Sequence, residues 1–538
     1  MPKIGAAELD TTDEARSRVA QTKGGVAQQG NEGGGAAEAG AGGGGGGVQL
    51  KRELGLFSAV NLIVGVMIGS GIFVSPTSAL QRSGSVGMCL VIWVVCGFIS
   101  LLGALAFAEL GTVVPRSGAE YAYFQEAFAG GGIAGGGGKI QTGKTAKWGP
   151  LPAFLCSWIY VLALRPAEIA VIILTFSEYS IRPFLPDGPK VEVEESFFCE
   201  QTATKLMAIV AVGLMTYINI VSVKLYVKVQ NVFTVCKLLV CFAVIVGGLY
   251  ELCIGNVQHL SKGFEGTTTS PGDYALAFYS GLWAYDGWST VTVVTEEIKR
   301  PEVNIPRSIA IGVPLVTLVY CLMNLSYMTV LSIPEMINAP AVAVVFGDKI
   351  LGVMTFIIPL GVALSTFGCA LGIQFSVTRL CFVAGREGHM LQALSYVHMK
   401  RFTPAPAVIL QGLLTALFIV GGNIVELIDF ASFLVWIFYG GAMVALLVLR
   451  RTKPEVHRPY KVPIVIPIFI LIVALYLAII PIVTDPSAKY LFAVFLIAIG
   501  VAVYVLFVQK KRKLPCIDSL TRNIQLLMEV VPSEKQLD

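Results

Sequence analysis

Long apolar stretches with few charges recur along most of this 538-residue chain, and they limit what it can fold into. A helix needs about 20 apolar residues to cross the hydrocarbon core of a bilayer, and it satisfies its own backbone polar groups there. The sequence therefore predicts an all-α membrane protein with twelve transmembrane helices. The predicted spans are 55–80, 86–113, 150–180, 203–222, 229–253, 272–295, 306–332, 349–380, 404–421, 424–449, 463–483 and 487–508.

The charge content also indicates that lipid is the main solvent. Charged residues make up only 14% of the chain, whereas soluble proteins carry about 25%. The net charge of +4 and the lack of a basic domain argue against a nucleic-acid partner. The histidines lie in loops or near span ends and no CxxC pair occurs, so no metal and no cofactor are predicted. We find no nucleophile–base pair that would indicate an enzyme.

Charged residues between the spans predict the topology. Residues 450–461 carry five basic side chains and one carboxylate, a net charge of +4, whereas residues 184–200 carry five carboxylates and one lysine, a net charge of −4. Because cytosolic loops are the basic ones, both termini are predicted in the cytosol and 184–200 outside. The predicted domains are a disordered cytosolic tail at 1–48, a twelve-span domain at 49–508 with a Gly-rich cytosolic insertion at 130–148, and a cytosolic C-terminal tail with a short helix at 509–538.

Glycine interrupts two of the predicted spans at corresponding places. The first contains Gly69-Ser70-Gly71, and the sixth contains Gly281 and Gly287. Interrupted spans of this kind often mark the binding site of a transporter. The amide groups at the start of a half-helix suit a carboxylate and free carbonyls suit an ammonium, so the pair predicts recognition of an α-amino acid. The alternative is that the glycines only allow close helix packing.

Charged residues inside the predicted spans are candidates for function, because a buried charge in a membrane is costly. Asp286 lies within the second interruption and could pair with a cationic substrate side chain, or else with Lys237 as an internal ion pair. Lys237 could instead hold the unwound segments together where another transporter would use sodium. We expect Arg165, Glu168 and Glu109 to form structural ion pairs.

Two tryptophans lie near the predicted site. Trp283 is inside the second interruption and could fold over the substrate as a gate, whereas Trp436 lies in an ordinary apolar stretch. Most tryptophans in spans are packing or interface residues. Trp283 is therefore the candidate.

One cysteine, Cys199, falls in the predicted extracellular loop. An unpaired extracellular cysteine indicates an interchain disulfide. Cys253, at the predicted outer end of the fifth span, is the rival, because the two could also bridge within the chain.

Several motifs taken together resemble the light subunits of heteromeric amino acid transporters, in the amino acid–polyamine–organocation superfamily. The resemblance runs from about Leu50 to Pro532, and the LWAYDGW segment, FEG (264–266) and MEVVP are most similar to the b(0,+)-type branch. The motifs are VGVMIGSGIFVSP (64–76), GALAFAELGT (103–112), LAFYSGLWAYDGW (276–288), TEEIKRPEVNIPRSI (295–309), VAGREGHM (383–390) and LLMEVVP (526–532).

This resemblance implies a LeuT-like fold with a five-plus-five inverted repeat and two additional helices. It also implies sodium-independent exchange of amino acids across the plasma membrane, with a disulfide-linked, single-span glycoprotein heavy subunit as partner. The residues that match family roles are Gly69, Ser70 and Gly71 for the substrate carboxylate; Met67, Trp283 and Tyr285 for its amino group; Trp283 for the gate; Asp286 for dibasic selectivity; Lys237 in place of sodium; Cys199 for the interchain disulfide; and Val530, Val531 and Pro532 for assembly and trafficking.

The side-chain specificity has two readings. The main hypothesis is an exchanger of dibasic amino acids and cystine for neutral ones, which Asp286 favours. The alternative within the family is a large neutral amino acid exchanger, and Leu371 and Ser289, which stand where the family often has asparagine, make it a real competitor. An ion channel is the alternative from another class, but no ring-forming filter motif supports it.

Overall fold

The structure of the protein is a computed structural model. It describes residues 54–532 except for 115, 117, 130–147, 183–193, 222, 294, 296–297, 340, 353–354, 402, 485 and 511–514. The predicted tail at 1–48 and nearly all of the 130–148 insertion lie outside the described residues, so both stay predictions.

The described chain is almost entirely helical. In chain order the helices are α1 (Leu56–Met67), α2 (Gly71–Ser83), α3 (Val86–Val113), α4 (Glu120–Phe128), α5 (Leu151–Ile181), α6 (Glu194–Val221), α7 (Val223–Ile254), α8 (Pro271–Ala284), α9 (Thr290–Val293), α10 (Pro301–Val330), α11 (Ile333–Asn338), α12 (Val342–Ile350), α13 (Ile357–Arg386), α14 (Ala405–Gly421), α15 (Ile424–Thr452), α16 (Val465–Thr484), α17 (Ala488–Gln509) and α18 (Pro515–Met528). Two short strands, β1 (Tyr396–His398) and β2 (Val530–Pro532), complete the chain.

Local sequence explains where several long helices begin. A Ser or Asn side chain accepts a hydrogen bond from the backbone N–H three residues later, which satisfies one of the free donors at a helix start. Ser85 caps α3 in this way, Ser270 caps α8, and Asn423 caps α15 with a distance of 2.9 Å to the nitrogen of Glu426.

The predicted all-helical membrane protein is confirmed. Within the described residues, nine helices are long and apolar enough to cross a bilayer, or ten if the bent pair α1 and α2 is one span. Two predicted spans fall short of this measure: α14 has 17 residues, and the sixth predicted span is divided between α8 and α9. The count of twelve spans and the inverted repeat stay predictions.

Two predicted boundaries differ from the structure. The eighth predicted span covers 349–380, but the helix α13 begins at Ile357 and a separate helix, α12, ends at Ile350. Helix α6 begins at Glu194, so Cys199 lies in a helix and not in a loop; its side chain lies outside the described part of the chain. Hydropathy marks only the lipid-buried part of a helix, and acidic residues favour a helix start, so α6 extends beyond the apolar stretch.

The C-terminal segment folds back onto a loop of the membrane domain. Strand β2 pairs antiparallel with β1, which follows α13, and the register places Val531 opposite Val397. The backbone N–H of Met399 also donates to the carbonyl of Glu529 at 3.1 Å. The three residues proposed for assembly and trafficking, Val530 to Pro532, therefore form this strand.

Candidate functional site

The two interrupted helices meet at their breaks. Helices α1 and α2 are bent by 52° around residues 68–70, and the chain after α8 makes a turn before α9. A Cβ atom on Gly71 would lie 2.4 Å from the Cα of Ala284, closer than any side chain allows. Gly287, with φ of +111°, packs against Val66 in the same way. Gly71 and Gly287 therefore allow the two breaks to pack closely against each other.

The first break leaves four amide groups without a backbone partner. The N–H groups of Gly69, Ser70, Gly71 and Ile72 donate to no backbone carbonyl in the described chain, whereas the nitrogen of Phe73 already donates to the carbonyl of Ser70. These groups form the positive N-terminal end of α2, which suits an anion such as a carboxylate. The role of residues 69–71 in binding a substrate carboxylate stays a prediction.

Three carbonyls at the breaks accept hydrogen bonds from side chains of the protein. The Tyr320 hydroxyl lies 2.5 Å from the carbonyl oxygen of Met67 and 2.9 Å from that of Ala284, so its single O–H is shared between both breaks. The Lys237 ammonium donates to the carbonyl of Gly65. Protein donors therefore occupy three carbonyls that a substrate ammonium could have used.

Lys237 is buried beside the first break. Its side chain is 3% exposed and its ammonium donates to the carbonyl of Gly65. Among the described residues no ion pair joins it to Asp286, so that alternative does not describe this structure.

Asp286 faces a narrow cavity between α3, α5, α8 and α15. One of its carboxylate oxygens accepts a hydrogen bond of 2.5 Å from the hydroxyl of Tyr439. The ring of Tyr439 in turn packs on Trp288, with centroids 4.9 Å apart. The residues that line the cavity are Ser100, Glu168, Leu282, Trp283, Asp286, Trp288, Ser432, Val435, Trp436 and Tyr439. The cavity thus combines carboxylates with aromatic walls.

Other predicted residues lie elsewhere. The side chain of Tyr285 points away from the cavity and donates its hydroxyl to the carbonyl of Trp93 at 3.0 Å. Met67 is 2% exposed and Leu371 is fully buried, and neither lines the cavity. Residues 69–71 are also absent from its walls, so the free amides and the cavity are separate features around the same pair of breaks.

Several residues at this site are not predicted from the sequence, and three of them make the polar contacts that shape it: Tyr320, Tyr439 and Glu168. Tyr320 and Tyr439 were missed because aromatic residues are common in spans and neither is near a glycine break in sequence. Glu168 was expected to be structural, and it does pair with Arg165 at 2.6 Å, yet it also lines the cavity beside Asp286. An acidic residue three positions after a basic one on a helix gives no signal of this second property.

Buried ion pairs lie at both ends of the helices around the site. At one end Asp429 on α15 accepts from Arg82 at 3.0 Å and from Lys489 at 2.8 Å. At the other end Glu109 binds Arg450 at 2.5 Å, which confirms its structural role. The networks tie α15 to α2 at one end and to α3 at the other.

Comparison with known proteins agrees with this architecture. Residues 54–504 match the amino acid permease family. The b(0,+)-type amino acid transporter 1 of Mus musculus is 44% identical over 490 residues, covering 90% of this chain and 94% of the relative. The cystine/glutamate transporter of Homo sapiens is 39% identical over 91% of this chain and 93% of its own. The large neutral amino acids transporter small subunit 2 of Mus musculus is 39% identical over 90% and 86%. This chain therefore belongs to the amino acid permease family and is a membrane transporter, not an enzyme.

Proposed function

We propose that this protein is a sodium-independent exchanger of cationic amino acids and cystine for neutral amino acids, and that it works by alternating access. The observation that carries the proposal is Asp286, a carboxylate within the second break that faces an aromatic cavity. In the described chain no cationic side chain lies within ion-pairing distance of it, so its charge is available to a substrate. Its hydrogen bond from Tyr439 orients the carboxylate without neutralising it.

The amide groups of residues 69–72, which donate to no backbone carbonyl in the described chain, would bind the substrate carboxylate, and the cavity beyond Asp286 would hold its side chain. Trp283 lines that cavity at the break and would close over the substrate as the gate. With the carbonyls of Met67 and Ala284 bonded to Tyr320 and that of Trp283 bonded to the backbone N–H of Asp286, the substrate ammonium would be held by another carbonyl near the breaks, such as that of Tyr285.

Lys237 supports independence from sodium. Its ammonium already sits against the carbonyl of Gly65 at the first break, and a charge fixed on the chain cannot leave with the substrate. A transporter built in this way would need no soluble cation to hold its broken helix.

The proposed fold is LeuT-like, with twelve spans: five plus five in an inverted repeat and two more. The ion-pair networks at Asp429 and Glu109 would then lie at the outer and inner ends of α15. Alternating access would break and remake contacts at these ends in turn.

A partner and a location are part of the same proposal. One relative is named a small subunit, which supports a heavy subunit for this chain. The proposed link is a disulfide from Cys199, with Cys253 as the rival; Cys253 is exposed at the end of α7 and forms no disulfide within the described residues. The strand at Val530 to Pro532 would support assembly and trafficking, and we place the protein in the plasma membrane with both termini cytosolic.

Radiolabelled arginine uptake into proteoliposomes tests the mode of transport. Uptake that needs internal leucine and is unchanged when external sodium is replaced by choline would support sodium-independent exchange. Uptake that proceeds equally into empty vesicles would contradict exchange, and loss of flux without sodium would contradict the role of Lys237. Leucine–leucine exchange without arginine uptake would favour the large neutral amino acid alternative.

A further inference from the structure

Two carboxylates, not one, line the cavity. Glu168 projects from α5 and Asp286 from the break after α8, and both reach the same cavity wall. Their partners differ. Asp286 accepts from the neutral Tyr439 hydroxyl, whereas Glu168 holds the guanidinium of Arg165 at 2.6 Å.

Arg165 is fixed between two groups on its own helix. A π-helical turn at Tyr160–Leu164 precedes it, and its guanidinium carbon lies 5.0 Å from the centroid of the Tyr160 ring. Such turns are often found at functional sites. A guanidinium over an aromatic face is attracted to it, so Tyr160 and Glu168 together hold the side chain in one position.

Arg165 also interacts electrostatically with Asp286, and Asp286 with Glu168. Glu120 on α4 is a further buried acid, and it also interacts electrostatically with Arg165. In the described chain, however, only Glu168 lies within ion-pairing distance of the guanidinium. Several carboxylates therefore compete for the Arg165 guanidinium, and in the structure Glu168 forms the ion pair with it.

This choice has a consequence for the substrate. An arginine side chain stays charged in proteins. Without Glu168 the guanidinium would be a buried cation lacking its partner, and Asp286, which lines the same cavity as Glu168 and interacts electrostatically with Arg165, would be an acceptor open to it. An Arg165–Asp286 pair would neutralise the group that a cationic substrate needs.

We propose that Glu168 is a positioning residue that holds Arg165 away from Asp286 and so reserves Asp286 for the cationic side chain of the substrate. The proposal rests on the proposed function, because it concerns selection between cationic and neutral substrates. It assigns Glu168 no direct contact with the substrate.

Three variants in proteoliposomes test this: Glu168→Gln, Arg165→Gln and the double variant. The readout is the ratio of arginine uptake to leucine uptake. A general loss of folded protein lowers both uptakes equally and leaves this ratio unchanged. Glu168→Gln is expected to lower the ratio by on the order of tenfold or more, the cost of losing a buried charge partner. The double variant is expected to recover the ratio, because no guanidinium remains to occupy Asp286. Arg165→Gln alone is expected to keep it.

The rescue separates positioning from other roles. If Glu168 bound the substrate cation directly, or only supported the fold, removal of Arg165 would not restore arginine selection. An uptake ratio that is unchanged in Glu168→Gln, or still low in the double variant, would therefore overturn the proposal. Arginine uptake by the wild type would still support the proposed function in that case.

A failure of the proposed function, and not of the role of Glu168, would give a different result. If the wild type carries leucine but no arginine, dibasic transport is wrong, and inhibition of leucine uptake by external glutamate becomes the readout. Glu168→Gln removes one of the two carboxylates near the Arg165 guanidinium and so makes the cavity less negative. Glutamate, whose side chain is negative, is therefore expected to inhibit this variant more strongly than the wild type. Equal inhibition of both would then overturn the role of Glu168.

Discussion

Gly71 and Ala284 are in backbone contact, and this contact joins the two broken helices of the site. A Cβ on Gly71 would lie 2.4 Å from the Cα of Ala284 and 2.8 Å from its Cβ. The positive end of α2 and the break that carries Asp286 are thus held side by side.

Gly71→Ala is expected to abolish transport, because the added methyl group must push the two breaks apart. Overpacking of this kind costs about 1–3 kcal/mol, and here it falls on the binding geometry itself. Leucine uptake measures the effect. Gly213→Ala is the matched control, since Gly213 lies in the membrane helix α6 with nothing within 4 Å of its added Cβ. Equal uptake by the two variants would show that the contact is dispensable.

Tyr320→Phe is expected to slow transport, because it removes the hydroxyl that bonds the carbonyls of Met67 and Ala284. Leaving buried acceptors unsatisfied costs about 1–3 kcal/mol. The control is Tyr327→Phe on the same helix, since the buried Tyr327 hydroxyl has no hydrogen-bond partner in the described chain. The initial rate of leucine exchange should fall for the first variant only; a matching fall for both would indicate a packing effect of α10.

Asp429→Asn is expected to weaken closure at its end of the transporter, because Asp429 is 1% exposed and is the shared partner of Arg82 and Lys489. Breaking a buried pair costs about 3–5 kcal/mol. Accessibility of a cysteine introduced at the buried Ser83, next to Arg82, probed with a membrane-impermeant thiol reagent, should rise. The exposed pair of Glu335 and Lys349 provides the control, Glu335→Gln, for which no rise is expected.

Acid pH is expected to destabilise the contact between α4 and the loop after α13. Tyr121 and His389 Nδ1 are 2.8 Å apart, and burial lowers the pKa of His389 below its usual 6.5. A lowered pKa in the folded state means that its stabilising effect is present above pH 6.5 and is lost as the pH falls through the folded pKa. Thermal unfolding of wild type and His389→Gln, compared from pH 7.5 to 5, should show a smaller pH dependence in the variant. An unchanged dependence would assign it to other groups.

Sequence reasoning located the site because its signals are local. Glycines within spans predicted both breaks, and the rarity of charge in lipid singled out Asp286 and Lys237. It missed what depends on packing between distant segments. Tyr320 lies 253 residues from the carbonyl it shares at Met67, and Tyr439 lies 153 residues from Asp286. Which of two neighbouring carboxylates holds Arg165 also follows from side-chain geometry, so Glu168 could not be assigned in advance.

The most direct test of the account compares arginine and leucine uptake by wild type and Asp286→Asn, in proteoliposomes loaded with leucine. The change keeps the shape of the side chain and its bond with Tyr439 while removing the charge. The account predicts that arginine uptake falls by on the order of tenfold or more relative to leucine, as expected when a buried charge pair is lost. Equal retention of arginine and leucine uptake in the variant would contradict the claim that this carboxylate selects the cationic substrate.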